Sequence, residues 1–178
     1  MIPISNFIGH FTTITRHRHR VIAHCLKAGI FWQGLLHDLS KYSPEEFIPG
    51  VKYYQGTRSP NEGEREALGY SRAWMHHKGR NKHHFEYWTD YDPKTKHNDP
   101  VKMPLKYVKE MFCDRVAASK IYAGKNYHDG YALEYFLKAK ARRKIHPETS
   151  EMIEKLLKML ADEGEKKTFE YIRKLKKY

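Results

Sequence analysis

From Phe7 to Cys25 the apolar residues recur at intervals of three, four and seven: Phe7, Phe11, Ile14, Val21 and Cys25. Residues so spaced share a face only in an α-helix, and related patterns return along most of the chain. The spacing predicts a first helix over residues 6–28, stopped by Gly29. Residues 30–42, "IFWQGLLHDLSKY", are strongly apolar and predict a buried second helix. A third begins at "SPEE", with Ser43 as cap, Pro44 at the first helical position and Glu46 closing a capping box; Pro49-Gly50 should kink it or end it early. Residues 56–63 read as a loop. A fourth helix runs from about Glu64 to His77 and stops near Gly79, and Pro104 opens a fifth that reaches about Ala123. Further helices are expected at 131–145, 149–163 and 166–177, with "HPET" and "DEGE" as the breaks. Residues 79–103 lack clean periodicity, and such a stretch inside a compact domain is more often functional than idle. No strand alternation is evident. The pattern specifies an all-α fold, one domain over residues 1–178, with about six to eight helices.

Composition narrows the class. At 178 residues with 40% apolar content the chain can bury one core and is too apolar for a disordered tail. No apolar run is long enough for a membrane span, and "MIPISNFIGHF" lacks the layout of a signal peptide. Cys25 and Cys113 form no CxxC pair and are expected to be buried, reduced thiols of a cytoplasmic protein. The 33 Lys+Arg against 21 Asp+Glu give a net charge of +12, which favours anionic partners: nucleic acid, anionic membrane or a phosphorylated small molecule. Residues 138–178 hold 13 Lys+Arg and 7 Asp+Glu, about half of that excess.

The chemistry-bearing residues sit in apolar company. In "GLLHDLSKY", His37 and Asp38 lie among Leu35, Leu36 and Leu39, where an ionised carboxylate needs a compensating partner. A lysine or a helix N-terminus would serve; so would a divalent metal held by both side chains. Adjacent helical residues point about 100° apart, so such an ion needs ligands from other helices as well. Asp114 shares a helical face with Tyr107, Met111, Ala118 and Ile121. It is either a buried acid paired with an arginine or a second carboxylate ligand. Ala117, Ala118 and Ser119 leave room for a neighbouring helix. His10, His17 and His24 fall on one stripe about 10 Å apart, so one mononuclear site takes at most one of them; His17 is the candidate, with His24 as its rival. "AWMHHKGRNKHHFEYW" adds His76, His77, His83 and His84 around Gly79, where a turn would bring no more than two of the four onto the ion. Asn81 is placed to orient a ligand or meet the substrate, and Trp74 and Trp88 to pack the loop. The mixed N/O donor set suits Mn, Fe, Co, Ni or Zn, one or two ions, rather than a closed cysteine zinc site.

These residues, in the order H…HD…D on helices, resemble the HD superfamily of metal-dependent phosphohydrolases. "HDLSK", His37 to Lys41, is similar to the HD-[IL]-x-K segment of that superfamily, and the likeness covers roughly residues 7–123, with 131–177 as a C-terminal helical extension. "QGLLHDLSKYSPEEF" and "WMHHKGRNKHHFEYW" more closely resemble a family of small bacterial and phage HD-like proteins. The resemblance implies His17, His37, Asp38 and Asp114 as metal ligands and Lys41 near a bound phosphate. Some superfamily members use further histidines for a second metal or for the phosphate, which makes His76, His77, His83 and His84 candidates. The dense "HHxxxxxHH" departs from the common pattern. The expected function is a phosphohydrolase for a phosphorylated small molecule such as a nucleotide. In it Asp38 helps orient water, His77 or His84 protonates the leaving group, and Lys41, Lys78, Arg80 and Arg115 meet phosphate charge. Two alternatives stand beside it. One is a nucleic-acid-binding protein with a structural metal, using Arg142, Arg143, Lys144, Lys174, Lys176 and Lys177. The other is an inactive HD-like binder of a phosphorylated ligand.

Overall fold

The computed structural model describes residues 3–178; Met1 and Ile2, where the expected domain range and the leader reading begin, lie outside them. Among the described residues eight α-helices and one small hairpin make a mainly α single domain. Helix α1 (Ile4–Ala28) ends at Gly29, whose N–H returns to the carbonyls of Cys25 and Leu26. It packs against α2 (Phe31–Leu36) and α6 (Leu105–Ala123), and α6 packs in turn on α7 (Tyr131–Lys138) and α8 (Pro147–Lys174). The core between them is built from Val21, Cys25, Phe112, Val116, Leu156 and Leu160, all sealed from solvent. Cys25 and Cys113 are buried free thiols. Among the described residues no helix is long and apolar enough to cross a membrane.

The structure departs from the periodicity at several points. The apolar run 30–42 is not one buried helix. Helix α2 stops at Leu36, His37 is extended, Asp38 adopts the left-handed region (φ 53°, ψ 26°), and a 3-10 turn covers Leu39–Tyr42. Trp32 and Leu36 are 78% and 70% exposed. Arg18 of α1 holds the frayed end by donating to the carbonyls of Leu35 and His37. Helix α3 (Pro44–Lys52) carries Pro49 inside it without ending there. Its capping box does not form: Ser43 makes no side-chain cap, and Glu46 turns inward instead.

The expected helix 64–77 is two helices, α4 (Pro60–Leu68) and α5 (Arg72–Lys78), divided at Gly69. Ser71 caps α5 by accepting from the Trp74 N–H, and the buried Glu64 carboxylate takes the Ser71 hydroxyl at 2.6 Å and the Ala73 N–H at 3.2 Å. Within 79–103 lie a 3-10 turn, Phe85–Tyr87, and an antiparallel hairpin of β1 (Thr89–Asp92) and β2 (His97–Pro100), registered Thr89 to Pro100 and Asp92 to His97. Its strands, "TDYD" and "HNDP", are polar and exposed, so no alternation could announce them.

Helix α7 ends at Lys138, short of the expected 145, and α8 ends at Lys174. Helix α8 folds back on itself at Gly164 (φ 78°, ψ 171°), the break expected at "DEGE". Lys155 on one leg reaches the Tyr171 hydroxyl on the other at 3.0 Å, and Thr149 meets the Tyr178 hydroxyl at 3.1 Å. That backbone region is open essentially to glycine alone. Gly164→Ala is therefore expected to lower stability by about 1–3 kcal/mol, measured as a lower urea midpoint; an unchanged midpoint would show the fold-back does not need glycine.

The histidine stripe of α1 is buried throughout, and its members meet different surroundings. His24 is buried against Phe169, with Nδ1 3.2 Å from the Cys113 carbonyl. Burial, reinforced by Lys120, Lys27 and Arg20, lowers its pKa to about 4 against the Cys113 bond that opposes the shift. The unfolded chain takes up this proton near 6.5 and the folded one only near 4, so stability from this site is full above about pH 6.5 and is lost as pH falls toward 4. His24→Asn keeps a donor for the carbonyl and cannot titrate. It should flatten the loss between pH 6.5 and 4 by up to about 3 kcal/mol, read by urea unfolding at several pH values; a slope equal to the parent's would contradict this.

Candidate metal centre

The break at residues 37–38 has a geometric consequence. On a continuous helix His37 and Asp38 would diverge. The extended His37 and left-handed Asp38 turn both side chains into the space between α1, α5 and α6, where Asp38 is 2% exposed. A left-handed non-glycine residue costs about 1–3 kcal/mol, and its surroundings hold it there.

The two oxygens of Asp38 face different partners. Oδ2 lies 3.2 Å from His37 Nε2 and 4.0 Å from His17 Nε2, and 2.7 Å from the Lys41 ammonium. Oδ1 lies 3.3 Å from His77 Nε2 and 3.4 Å from His83 Nε2. Asp114 Oδ1 stands 2.9 Å from His17 Nε2 and 3.6 Å from His37 Nε2. Two donor sets thus converge, each with ligand atoms within 4.8 Å of one another: His17, His37, Asp38 and Asp114, and Asp38, His77, His83 and His84. Asp38 belongs to both.

Two glutamates orient this array, and the sequence reading missed both. Glu110 Oε1 accepts from His37 Nδ1 at 2.9 Å and lies 3.2 Å from His83 Nδ1, while Gln33 holds its other oxygen. Glu46 meets His77 Nδ1 with one oxygen and His76 Nδ1 with the other, each at 2.7 Å. With Nδ1 bound outward, His37, His77 and His83 present Nε2 to the centre, the arrangement second carboxylates give to metal-bound histidines. Glu110 lies one turn before Asp114 on the same face of α6, and that i, i+4 spacing was the available signal. Glu46 gave none beyond its apparent role in a cap.

Of the four clustered histidines, three rather than two reach the donor sets; His76 stops at Glu46. The rings pack on one another, His83 against His84 at 4.0 Å between centroids and His37 against His83 at 4.3 Å. Asn81 does not face the centre as a free group: its amide donates to Ser40 Oγ and the His77 carbonyl, fixing the turn. Trp88 pins the same loop through the Lys82 carbonyl, and Trp74 packs on His84.

The charges are compensated by histidine and lysine. Burial would raise the Asp38 carboxyl, but His37, Lys41, His77 and His83 hold it well below its ordinary value. Burial acts likewise on Asp114, and His17 and His37 overcome it. Glu110 falls to about 2 against its burial, through His37 and His83. His37 is driven down by burial yet raised well above its ordinary value by Asp38, Asp114 and Glu110. His84 is pushed far down by burial and by His83 and His77, a direction that favours its neutral form.

These residues fit a metal. The Nε2 atoms of His17, His37, His83 and His84 and both oxygens of Asp38 are buried without a well-directed hydrogen bond, a state that costs free energy unless something else binds there. Mixed imidazole and carboxylate donors suit a divalent first-row ion.

A cavity of about 180 Å³ opens onto His17, Asp114, His77, His84 and Lys41 and runs out beneath Tyr54 and Tyr122. Of the expected phosphate contacts only Lys41 lines it. Lys78 and Arg80 lie outside its wall. Arg115 is turned toward Phe136, and burial and the nearby Arg143 lower its pKa to about 10. Arg58 does reach the cavity but is held two-pronged by Glu66 at 2.6 and 2.5 Å. His10 also lines it; His24 does not.

His37, His83 and Glu110 also form a candidate ligand group among the described residues, but in the two sets that share Asp38, Glu110→Gln removes no ligand and loosens two of them. It should weaken divalent-metal affinity by about 10–100-fold, measured by competition with a chromophoric chelator on protein whose helical signal is unchanged. Affinity equal to the parent's would deny Glu110 this role.

A family model, described as a family of unknown function (DUF5662), matches residues 6–159. No curated protein and no solved structure matches the chain.

Proposed function

The chain belongs to this family of unknown function, and we propose from its site that it is a phosphohydrolase using two divalent transition-metal ions that share Asp38. The observation that carries the reading is the placement of Asp38, with one oxygen toward His17 and His37 and the other toward His77 and His83. The resemblance of "HDLSK" to the HD superfamily supports the same class of reaction. When bound, such ions supply Lewis acidity toward a phosphoryl oxygen and bring the pKa of water toward about 7.

The protein's own residues do the rest. His17, His37 and Asp114 would complete one ion's set, and His77, His83 and His84 the other's. Glu110 and Glu46 fix the tautomers that leave the Nε2 lone pairs of His37, His83 and His77 for a metal. Lys41, whose pKa rises despite burial because of Asp38 and Asp114, stays cationic on the cavity wall and balances phosphate charge. Neutral His84 suits lone-pair donation to a metal and does not suit protonation of a leaving group at neutral pH. Trp74, Tyr54 and Tyr122 narrow the cavity and limit water beside the reacting group.

The protein loaded with Mn²⁺ is expected to hold two ions per chain and to hydrolyse p-nitrophenyl phosphate. Asp38→Asn should lose both ions, whereas Asp114→Asn keeps the one held by His77, His83 and His84. Both should cut turnover by about 10²-fold or more. Metal analysis with phosphate-release assays reads all of this. Two ions without turnover of any phosphate ester would leave the inactive-binder alternative in its place.

A further inference from the structure

A second cleft lies beside the metal cavity. Arg16 and Arg20 of α1, Lys120 of α6 and Lys125 of the turn after α6 line it, with Thr13 and Ile121 between them, around about 300 Å³. Thr13 and Ile121 also line the metal cavity, so the two spaces adjoin across a thin wall. The Thr13 hydroxyl is tied to the Tyr54 hydroxyl at 3.0 Å, which fixes that wall.

The cleft's charge is one-sided. Four cations line it and no carboxylate does. Lys120 leans to Glu165, which Lys27 also approaches at 3.2 Å. Burial first, then Lys27 and Arg20, lower the Lys120 pKa. Arg16, Arg20 and Lys125 make no ion pair and no side-chain hydrogen bond among the described residues. Some other surface cations are matched, as Arg58 is by Glu66, Arg65 by Glu62 and Lys140 by Glu154; what sets this group apart is that four cations share one cleft whose lining holds no acid. Arg16 and Arg20 are one helical turn apart on the same face, a spacing that lets two guanidinium forks meet one phosphate.

We propose that this cleft binds a second phosphate group of the substrate, so that the preferred substrate is a small molecule with two phosphates, one at the Asp38 centre and one between Arg16, Arg20 and Lys125. The proposal rests on the phosphohydrolase reading for the first phosphate and adds the substrate class. The mouth formed by α1 and the turn at Gly124 suits a phosphate on a flexible arm rather than a second metal, since no acid or histidine lines it.

The test uses the full chain loaded with Mn²⁺ and two probes, adenosine 5′-monophosphate and adenosine 3′,5′-bisphosphate, with binding measured by titration calorimetry. The bisphosphate should bind more tightly by about tenfold or more, the scale of charge-assisted bonds to one phosphate. That preference should shrink as salt rises from about 0.05 to 0.3 M. In the triple variant Arg16→Gln, Arg20→Gln, Lys125→Gln, all at exposed positions, the ratio of the two affinities should fall toward one. Equal binding of the two probes by the parent, or an undiminished ratio in the variant, would overturn the proposal. Binding needs no turnover, so the two readings fail separately. A bisphosphate preference without hydrolysis keeps the cleft and removes the hydrolase; hydrolysis of monophosphates with equal binding of both probes removes the cleft.

Discussion

A carboxylate sealed from water must find positive charge or hydrogen bonds within the protein, because its desolvation otherwise costs several kcal/mol. Asp38 is such a group, and much of the local structure follows from it. Lys41 comes within 2.7 Å, and His17, His37, His77 and His83 gather around its two oxygens. To reach them the chain gives up a continuous helix at residue 37 and accepts a left-handed backbone at Asp38. The α1–α6 packing brings in His17 and Asp114, and the turn at Asn81 brings in His83 and His84. Each element is fixed remotely, by the core of α1, α6 and α8 on one side and by Ser40, Asn81 and Trp88 on the other.

Glu110 and Glu46 give the centre its direction. A histidine can donate or accept through either nitrogen; when Nδ1–H donates to a carboxylate, Nε2 keeps its lone pair for a metal. Glu110 does this for His37 and His83 together, and Glu46 for His77. The site therefore has an inner ring of nitrogens and oxygens held by ion-pair contacts without well-directed hydrogen bonds and an outer ring of hydrogen-bonded ones. Such an array is costly when it binds nothing, which is the physical argument for a metal. Lys41 and the neighbouring cationic cleft place positive charge on the side from which the proposed anionic substrate would approach.

Much of this was legible in the sequence, for identifiable reasons. His37, Asp38 and Asp114 stood out because they interrupt apolar segments, His17 was one of three histidines on a stripe with His24 as its rival, and the set of four was what the HD resemblance implied; the structure brings these four together. The all-α class, the stop at Gly29 and the break at "DEGE" followed from period and glycine placement. The break in 30–42 was hidden because it serves a tertiary contact: an apolar run reads as helix until something else requires Asp38 to turn. Glu46 looked like a cap, and Glu110 offered only its place one turn before Asp114, since a glutamate that orients a histidine has no residue pattern of its own beyond such spacing. Which of His76, His77, His83 and His84 point inward depends on a turn whose shape Asn81 and Trp88 set through long-range bonds. The hairpin of β1 and β2 carries no apolar face, so its pairing left no pattern to read.

The most direct test of the account is the electron paramagnetic resonance spectrum of the protein titrated with Mn²⁺. If two ions share the Asp38 carboxylate as proposed, they would lie close enough for their spins to couple. The account predicts that the six-line signal of isolated Mn²⁺ gives way, near two equivalents per chain, to the broad spectrum of a coupled pair. A six-line signal that saturates at one equivalent, or protein that binds no Mn²⁺, would contradict it.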